Sequence, residues 1–264
     1  MSCTSRMNQA LQCPVKLLLD RESKHIIFSD CHRGQGNAND NFLKNQNLYF
    51  SALEYYEQLG FHYIELGDGE ELWENRNIED IKECYRHIYW KFDCFKMNQK
   101  MTKIYGNHDH ELREECHDSV LLCNREGGRD IAMVHGHQAD FFNSVCWRLA
   151  RFLVRYLWQP LEYFGVNNPT NAAKNNKKVM NYEHCMEKYA NDHQIYLLAG
   201  HSHRPYLKKD ELYLNAGSCI HPRCITGIEV TNMQLTLVKW AIATHPDRTL
   251  YVQRKELAGP FMIH

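Results

Sequence analysis

The chain has 264 residues, 44% of them hydrophobic and 12% aromatic, with 31 Lys and Arg against 32 Asp and Glu and a formal net charge of -1. This length supports one large core, and the aromatic content excludes a disordered chain. The neutral balance argues against a nucleic-acid binder, which would show a basic excess.

Short apolar runs recur along the chain, and many end in a turn residue followed by a polar group. Residues 25–28 run into Ser29-Asp30. Residues 42–59 then read as a helix, with Leu48, Ala52, Tyr55, Tyr56 and Leu59 near helical spacing and Gly60 as the stop. Residues 63–66 run into Gly67-Asp68, and residues 78–95 read as a second helix through Ile81, Tyr85, Ile88 and Phe92. Residues 103–105 run into Gly106-Asn107, and residues 131–134 into His135.

Residues 141–193 interrupt this rhythm. Two helices are predicted, over about 143–164 and about 171–192. We read the segment as a helical cap inserted into a single domain spanning 1–264; ordinary flanking helices fit the same pattern. Residues 195–198 then run into Ala199-Gly200-His201. Strands are predicted over 212–214, 225–230 and 234–240, with a final one at 251–252. Two sheets flanked by helices, with binding groups at the carboxyl ends of strands, is the expected α/β assembly.

The N-terminal residues 1–12 are polar, so no secretory leader is expected. No uncharged apolar stretch of about 18 residues exists, so no spanning helix is expected either. The 11 cysteines form no C-x-x-C pair. Unpaired thiols in a cytoplasmic setting are the simplest reading.

Five segments carry the chemistry: Asp30-Cys31-His32, Gly67-Asp68, Gly106-Asn107-His108-Asp109, His135-Gly136-His137 and Gly200-His201-Ser202-His203. Each is weak alone. Their order, each after an apolar run, is specific.

That order resembles the calcineurin-like metallophosphoesterases, over roughly residues 26–218. The resemblance implies a four-layer α/β/β/α sandwich with the site at one edge. It implies two divalent ions, with Asp30, His32 and His203 on the first and Asn107, His135 and His201 on the second. Asp68 fits the bridging position, because a shared carboxylate offsets the repulsion of two close cations. Mixed oxygen and nitrogen ligands suit Mn, Fe or Zn over Ca or Mg. The implied reaction is phosphate ester hydrolysis by a hydroxide held at the metals. His108 resembles the family's catalytic histidine, which would protonate the leaving oxygen, with Asp109 orienting its ring.

Further roles are expected nearby. Arg33 and Asn39, on a polar loop, are candidates for phosphate contact. His137 and Asp140 are candidates for supporting the ligands from behind. Glu71 and Trp73 read as structural. Cys31 is left out of the metal set, on the expectation that an extended segment turns it away from its neighbours.

In the insert, Arg148, Arg151 and Arg155 lie at helical spacing among aromatic residues. With Lys174, Lys177 and Lys178 they make the segment basic. It reads either as an amphipathic lid over a phosphorylated small-molecule or lipid-linked substrate, or as a peripheral membrane contact. A packed apolar face with a solvated basic one is the plainer reading. The UDP-2,3-diacylglucosamine pyrophosphatases look similar here, with a helical insert at this point and an H-x-H-R-P end, matched by residues 201–205. They carry Arg where this chain has His108. A general phosphoesterase is the leading expectation; such a pyrophosphatase, or a serine/threonine protein phosphatase, is the alternative.

Overall fold

The structure, a computed structural model, describes residues 1–158 and 180–264. Among the described residues, eleven strands form two sheets. The larger joins β2 (Lys24–Phe28), β3 (His62–Leu66), β4 (Met101–Ile104), β9 (Cys224–Thr231), β10 (Gln234–Thr244) and β11 (Leu250–Met262), in the order β11-β10-β9-β2-β3-β4. The smaller joins β1 (Val15–Leu19), β5 (Val120–Asn124), β6 (Ile131–Met133), β7 (Tyr196–Ala199) and β8 (Tyr213–Asn215), in the order β1-β5-β6-β7-β8. β2, β3 and β4 run parallel, as do β6, β7 and β8.

Alternation along the central strands separates two cores. Ile27, Ile64 and Leu66 face the smaller sheet and join Val120, Ile131 and Leu198. Ile26, Phe28 and Tyr63 point the other way, into Tyr49, Tyr56, Phe92 and Phe95 of the helices α2 (Gln46–Gln58) and α4 (Arg86–Met97). Both faces of β2 and β3 are therefore buried, which is why they read as continuous apolar runs. On the far side of the smaller sheet lie α1 (Cys3–Ala10) and α7 (Asn181–His193), burying Met7, Ala10, Met186 and Ala190. The result is the expected helix–sheet–sheet–helix sandwich.

Several elements differ from the sequence expectation. The helix expected over 78–95 breaks at Tyr85, where φ -110° and ψ 32° separate α3 (Ile78–Cys84) from α4. β11 is far longer than 251–252. It is an edge strand whose residues are mostly exposed, so no apolar run marks it. α1, β1 and β5 were not expected. Cys3 and Cys185 form a disulfide between α1 and α7, against the expectation of unpaired thiols; nine other cysteines are free.

In the insert, the chain leaves β6 through α5 (Phe141–Val145) and α6 (Trp147–Leu153), then a π-helical turn, Val154–Trp158. The rest of the first expected helix, and residues 171–179 of the second with Lys174, Lys177 and Lys178, lie outside the described residues. The described part of the second is α7, which packs into the outer layer of the sandwich. Among the described residues, no helix is long and apolar enough to cross a membrane.

Candidate metal centre

Every motif follows the carboxyl end of a strand. Asp30 and His32 follow β2, Asp68 follows β3, and Asn107 and His108 follow β4. His135 follows β6, and His201 and His203 follow β7. The parallel strands of both sheets end on the same side, so five loops from distant sequence meet at one edge.

The loops meet under local constraint. Asp30, His32, Asp68, His201 and His203 all have left-handed backbone, with φ of 54°, 46°, 49°, 63° and 54°. Non-glycine residues rarely adopt this region, and such clusters mark sites where the surroundings dictate the geometry. The motif glycines serve the same convergence. A Cβ on Gly106 would lie 2.1 Å from Asp68 Oδ1, and one on Gly200 2.0 Å from Ser29 Oγ and 2.6 Å from Asp30 Oδ2. Only glycine lets these loops approach each other so closely.

The side chains gather into two groups around Asp68. His203 Nε2 is 3.1 Å from Asp30 Oδ1 and 3.3 Å from His32 Nε2. His135 Nε2 is 3.2 Å from Asp68 Oδ2, and His32 Nε2 lies 3.7 Å from the same oxygen. In each of the sets Asp30–His32–His203 and Asp68–His135–His201, ligand atoms lie within 4.8 Å of one another. Backbone N–H groups fix the carboxylates: His201 donates to Asp30 Oδ2 at 2.9 Å, and His108 to Asp68 Oδ1 at 2.8 Å.

These groups fit divalent cations. Asp30 Oδ1, Asn107 Oδ1 and His135 Nε2 are buried without a hydrogen-bond partner. Buried polar atoms of this kind need a partner, and a cation supplies one to each. Electrostatics agree. Burial opposes ionisation of Asp30, yet His203 and His135 outweigh it and hold the carboxyl well below its ordinary range. Burial lowers the His135 imidazole, but Asp68 and Asp30 overcome it and lift the ring to about 9. The carboxylates thus favour positive charge at this point, which a bound divalent ion would supply.

Glu71, expected to be structural, is the residue of the candidate site that sequence reasoning left out. Its two oxygens accept from His32 Nδ1 and His108 Nδ1, each at 2.7 Å. Burial alone would raise this carboxyl, but His108 and His32 draw it down to about 2. It is therefore an acceptor only, which puts a proton on Nδ1 of each ring and leaves both Nε2 atoms for other partners. Trp73 stacks on His108 with ring centroids 4.1 Å apart. The signal was the position of Glu71, three residues after Asp68 on the same loop.

Other expectations are corrected. Asp109 does not orient His108. It is fully buried and accepts backbone N–H groups from Gly106 at 2.5 Å and Gly69 at 2.8 Å, tying the loops after β3 and β4 together. Arg33 does not reach the cleft. It is fully buried, with Nη1 2.7 Å from Glu65 and Nη2 2.8 Å from Glu70, and Lys103 completes the network 3.0 Å from Glu65. Arg155 donates to the carbonyls of Trp73 at 2.7 Å and Leu72 at 2.8 Å, and Arg151 pairs with Glu111. Both bind the insert to the body instead of facing a substrate. The Arg148 side chain lies outside the described residues.

Asn39 does line the cleft, together with His32, Asp68, Asn107, His108, His201 and His203. Asp140 Oδ2 stands 3.4 Å from His201 Nε2, its Oδ1 caps α5 by accepting from Phe142 N at 3.0 Å, and the His137 ring packs 5.4 Å from that of His135. Cys31 lies in the helix-side core, away from the ligands. The extended backbone invoked for it is absent, since Asp30 and His32 flank it in left-handed conformation.

Residues 24–236 match the calcineurin-like phosphoesterase superfamily domain, and the chain belongs to that superfamily. Among solved structures, Vps29 of Chaetomium thermophilum matches with 12% identity and a TM-score of 0.44, covering 89% of this chain and 96% of that one. The same protein complexed with the RaPID-derived cyclic peptide RT-D3 matches with 12% identity and a TM-score of 0.40, covering 89% and 95%. No curated protein matches the chain.

Proposed function

We propose that this chain is a hydrolase that cleaves a phosphate ester at a two-metal centre. Asp30, His32 and His203 would hold one ion, Asn107, His135 and His201 the other, and Asp68 would face both. The observation that carries the reading is the pair of ligand sets, Asp30–His32–His203 and Asp68–His135–His201, each within 4.8 Å, beside the buried Asn107 Oδ1, which makes no hydrogen bond. Bound divalent ions supply Lewis-acid charge to the phosphoryl oxygens and an acidified water. Mn, Fe and Zn are the ions that this donor set suits.

The chain's own residues do the rest. His108 would act as the doubly protonated imidazolium: Glu71 holds its Nδ1–H, and its Nε2–H, presented to the cleft, is given up to the leaving oxygen, leaving the neutral ring. Trp73 restricts its ring to one plane. Asn39, which also lines the cleft, contacts the substrate beyond the phosphoryl group. α5, α6 and the turn after them, which contributes Val154 to the cleft wall, act as the cap on a cytoplasmic enzyme. The substrate is a phosphorylated small molecule or a lipid-linked phosphate.

The test is a panel of phosphomonoesters, phosphodiesters and diphosphates, including a UDP-linked lipid and a phosphopeptide, assayed with Mn, Fe, Zn and Co. Turnover of p-nitrophenyl phosphate that needs added metal is expected. Failure to hydrolyse any member with any metal would reject the reading.

A further inference from the structure

α6 and the turn after it are built inside out. Leu149, Phe152 and Leu153 fall at i, i+3 and i+4 of α6, which places them on one face, and the Tyr156 ring lies 4.9 Å from that of Phe152. That face is turned to solvent: Leu149 is 53% exposed, Phe152 57% and Tyr156 55%. Phe141 and Phe142 of α5 add 55% and 57%. The arginines go the other way, Arg151 to Glu111 and Arg155 to the backbone of the loop after β3. A solvated helix normally shows the reverse pattern, and clustered exposure of large apolar side chains marks a docking surface.

We propose that this face seats on a lipid surface carrying anionic headgroups. Charge identifies the occupant. Residues 141–158 hold no acidic residue, so the segment itself sets no negative charge against an anionic surface. Two cations frame the apolar face. The Arg6 guanidinium lies 5.9 Å from the Phe141 ring centre, and Arg76 Nη2 lies 3.4 Å from the Tyr156 hydroxyl. Aromatic and aliphatic side chains flanked by arginine are the composition of an interfacial anchor, with apolar groups at the acyl boundary and cations at the headgroups. A second copy of the chain fits less well. A twofold contact through this face would set like-charged rims against each other, which is repulsive. Val154, on the same segment, lines the cleft, so docking here would bring the lipid surface to the mouth of the site. The proposal does not depend on the reaction proposed above.

The experiment is co-sedimentation of the full chain with phosphatidylcholine vesicles, with and without phosphatidylglycerol. Binding is expected only with phosphatidylglycerol, weakening as salt rises. The double change Leu149→Asp and Phe152→Asp should cut partitioning by at least about tenfold, with an unaltered thermal unfolding midpoint. The neutral pair Leu149→Gln and Phe152→Gln should do the same, which separates lost apolar anchoring from added charge. The proposal is overturned if the wild type stays in solution with phosphatidylglycerol vesicles, or if both double variants bind as it does. It is equally overturned if this face instead drives self-association, seen as concentration-dependent sedimentation that the double variants abolish.

Discussion

His108 Nδ1 and Glu71 Oε1 are 2.7 Å apart, and the other oxygen of that carboxylate holds His32 at the same distance. One acid thus sets the tautomer of the proposed proton donor and of a proposed metal ligand. Glu71→Gln should lower kcat about a hundredfold for esters with poor leaving groups. It should cost much less for p-nitrophenyl esters, whose leaving oxygen needs little protonation. His108→Ala should show the same dependence. A leaving-group series with equal losses throughout would remove His108 from the acid role.

Metal removal gives the plainest result. Asp68→Asn and His135→Ala should each lose bound metal by elemental analysis and abolish p-nitrophenyl phosphate turnover. Chelation of the wild type should do the same and lower its unfolding temperature, since the ions bind only the folded chain. Full activity after exhaustive chelation would contradict the site.

The motif glycines make a steric prediction. A Cβ on Gly200 has Ser29 Oγ at 2.0 Å and Asp30 Oδ2 at 2.6 Å. Gly200→Ala should therefore shift Asp30, weaken metal binding and destabilise the fold by about 2 kcal/mol, measured by urea unfolding.

Arg33 separates a structural role from a substrate one. Arg33→Met leaves Glu65 and Glu70, both fully buried, with Lys103 as their remaining close cation. Breaking a buried pair this way costs about 3–5 kcal/mol. The folded fraction should retain the wild-type KM. A raised KM with unchanged stability would restore the phosphate-contact reading.

Acid stability should depend on His62, remote from the site. Burial, then His25 and Lys100, lowers its ring from the ordinary 6.5 to about 4. Between those values the unfolded chain binds more protons than the folded one. Stability is therefore whole above pH 6.5, falls as pH drops, and is fully lost below about 4, by on the order of 2 kcal/mol. His62→Gln should flatten urea-unfolding stability across that window; an unchanged slope would assign the acid loss elsewhere.

Much of this was legible in the sequence, for identifiable reasons. β2, β3 and β7 are buried on both faces, so their apolar runs stand out, and the residues after them are the ones that converge. β11 was nearly invisible because an edge strand facing water carries no run. The candidate metal-ligand set stands out because aspartate and histidine after strand ends are chemically conspicuous. Partners were harder, because pairing is a matter of three dimensions. Asp109 adjoins His108 in sequence but turns to backbone amides, while Glu71, from another loop, reaches the ring. Arg33 looked like a phosphate ligand because nothing in the sequence shows that Glu65 and Glu70 enclose it.

The left-handed backbone at Asp30, His32, Asp68, His201 and His203 has a consequence for how the protein handles its ions. Each such residue costs on the order of 1 kcal/mol, and the cost falls on folding, not on metal uptake. The cradle is thus expected to be shaped by the fold itself, so that a divalent ion binds without rearranging the backbone. Exchange of one cation for another then becomes a question of supply and fit, and an enzyme stripped of metal should regain it at the speed of diffusion and desolvation without passing through a refolding step.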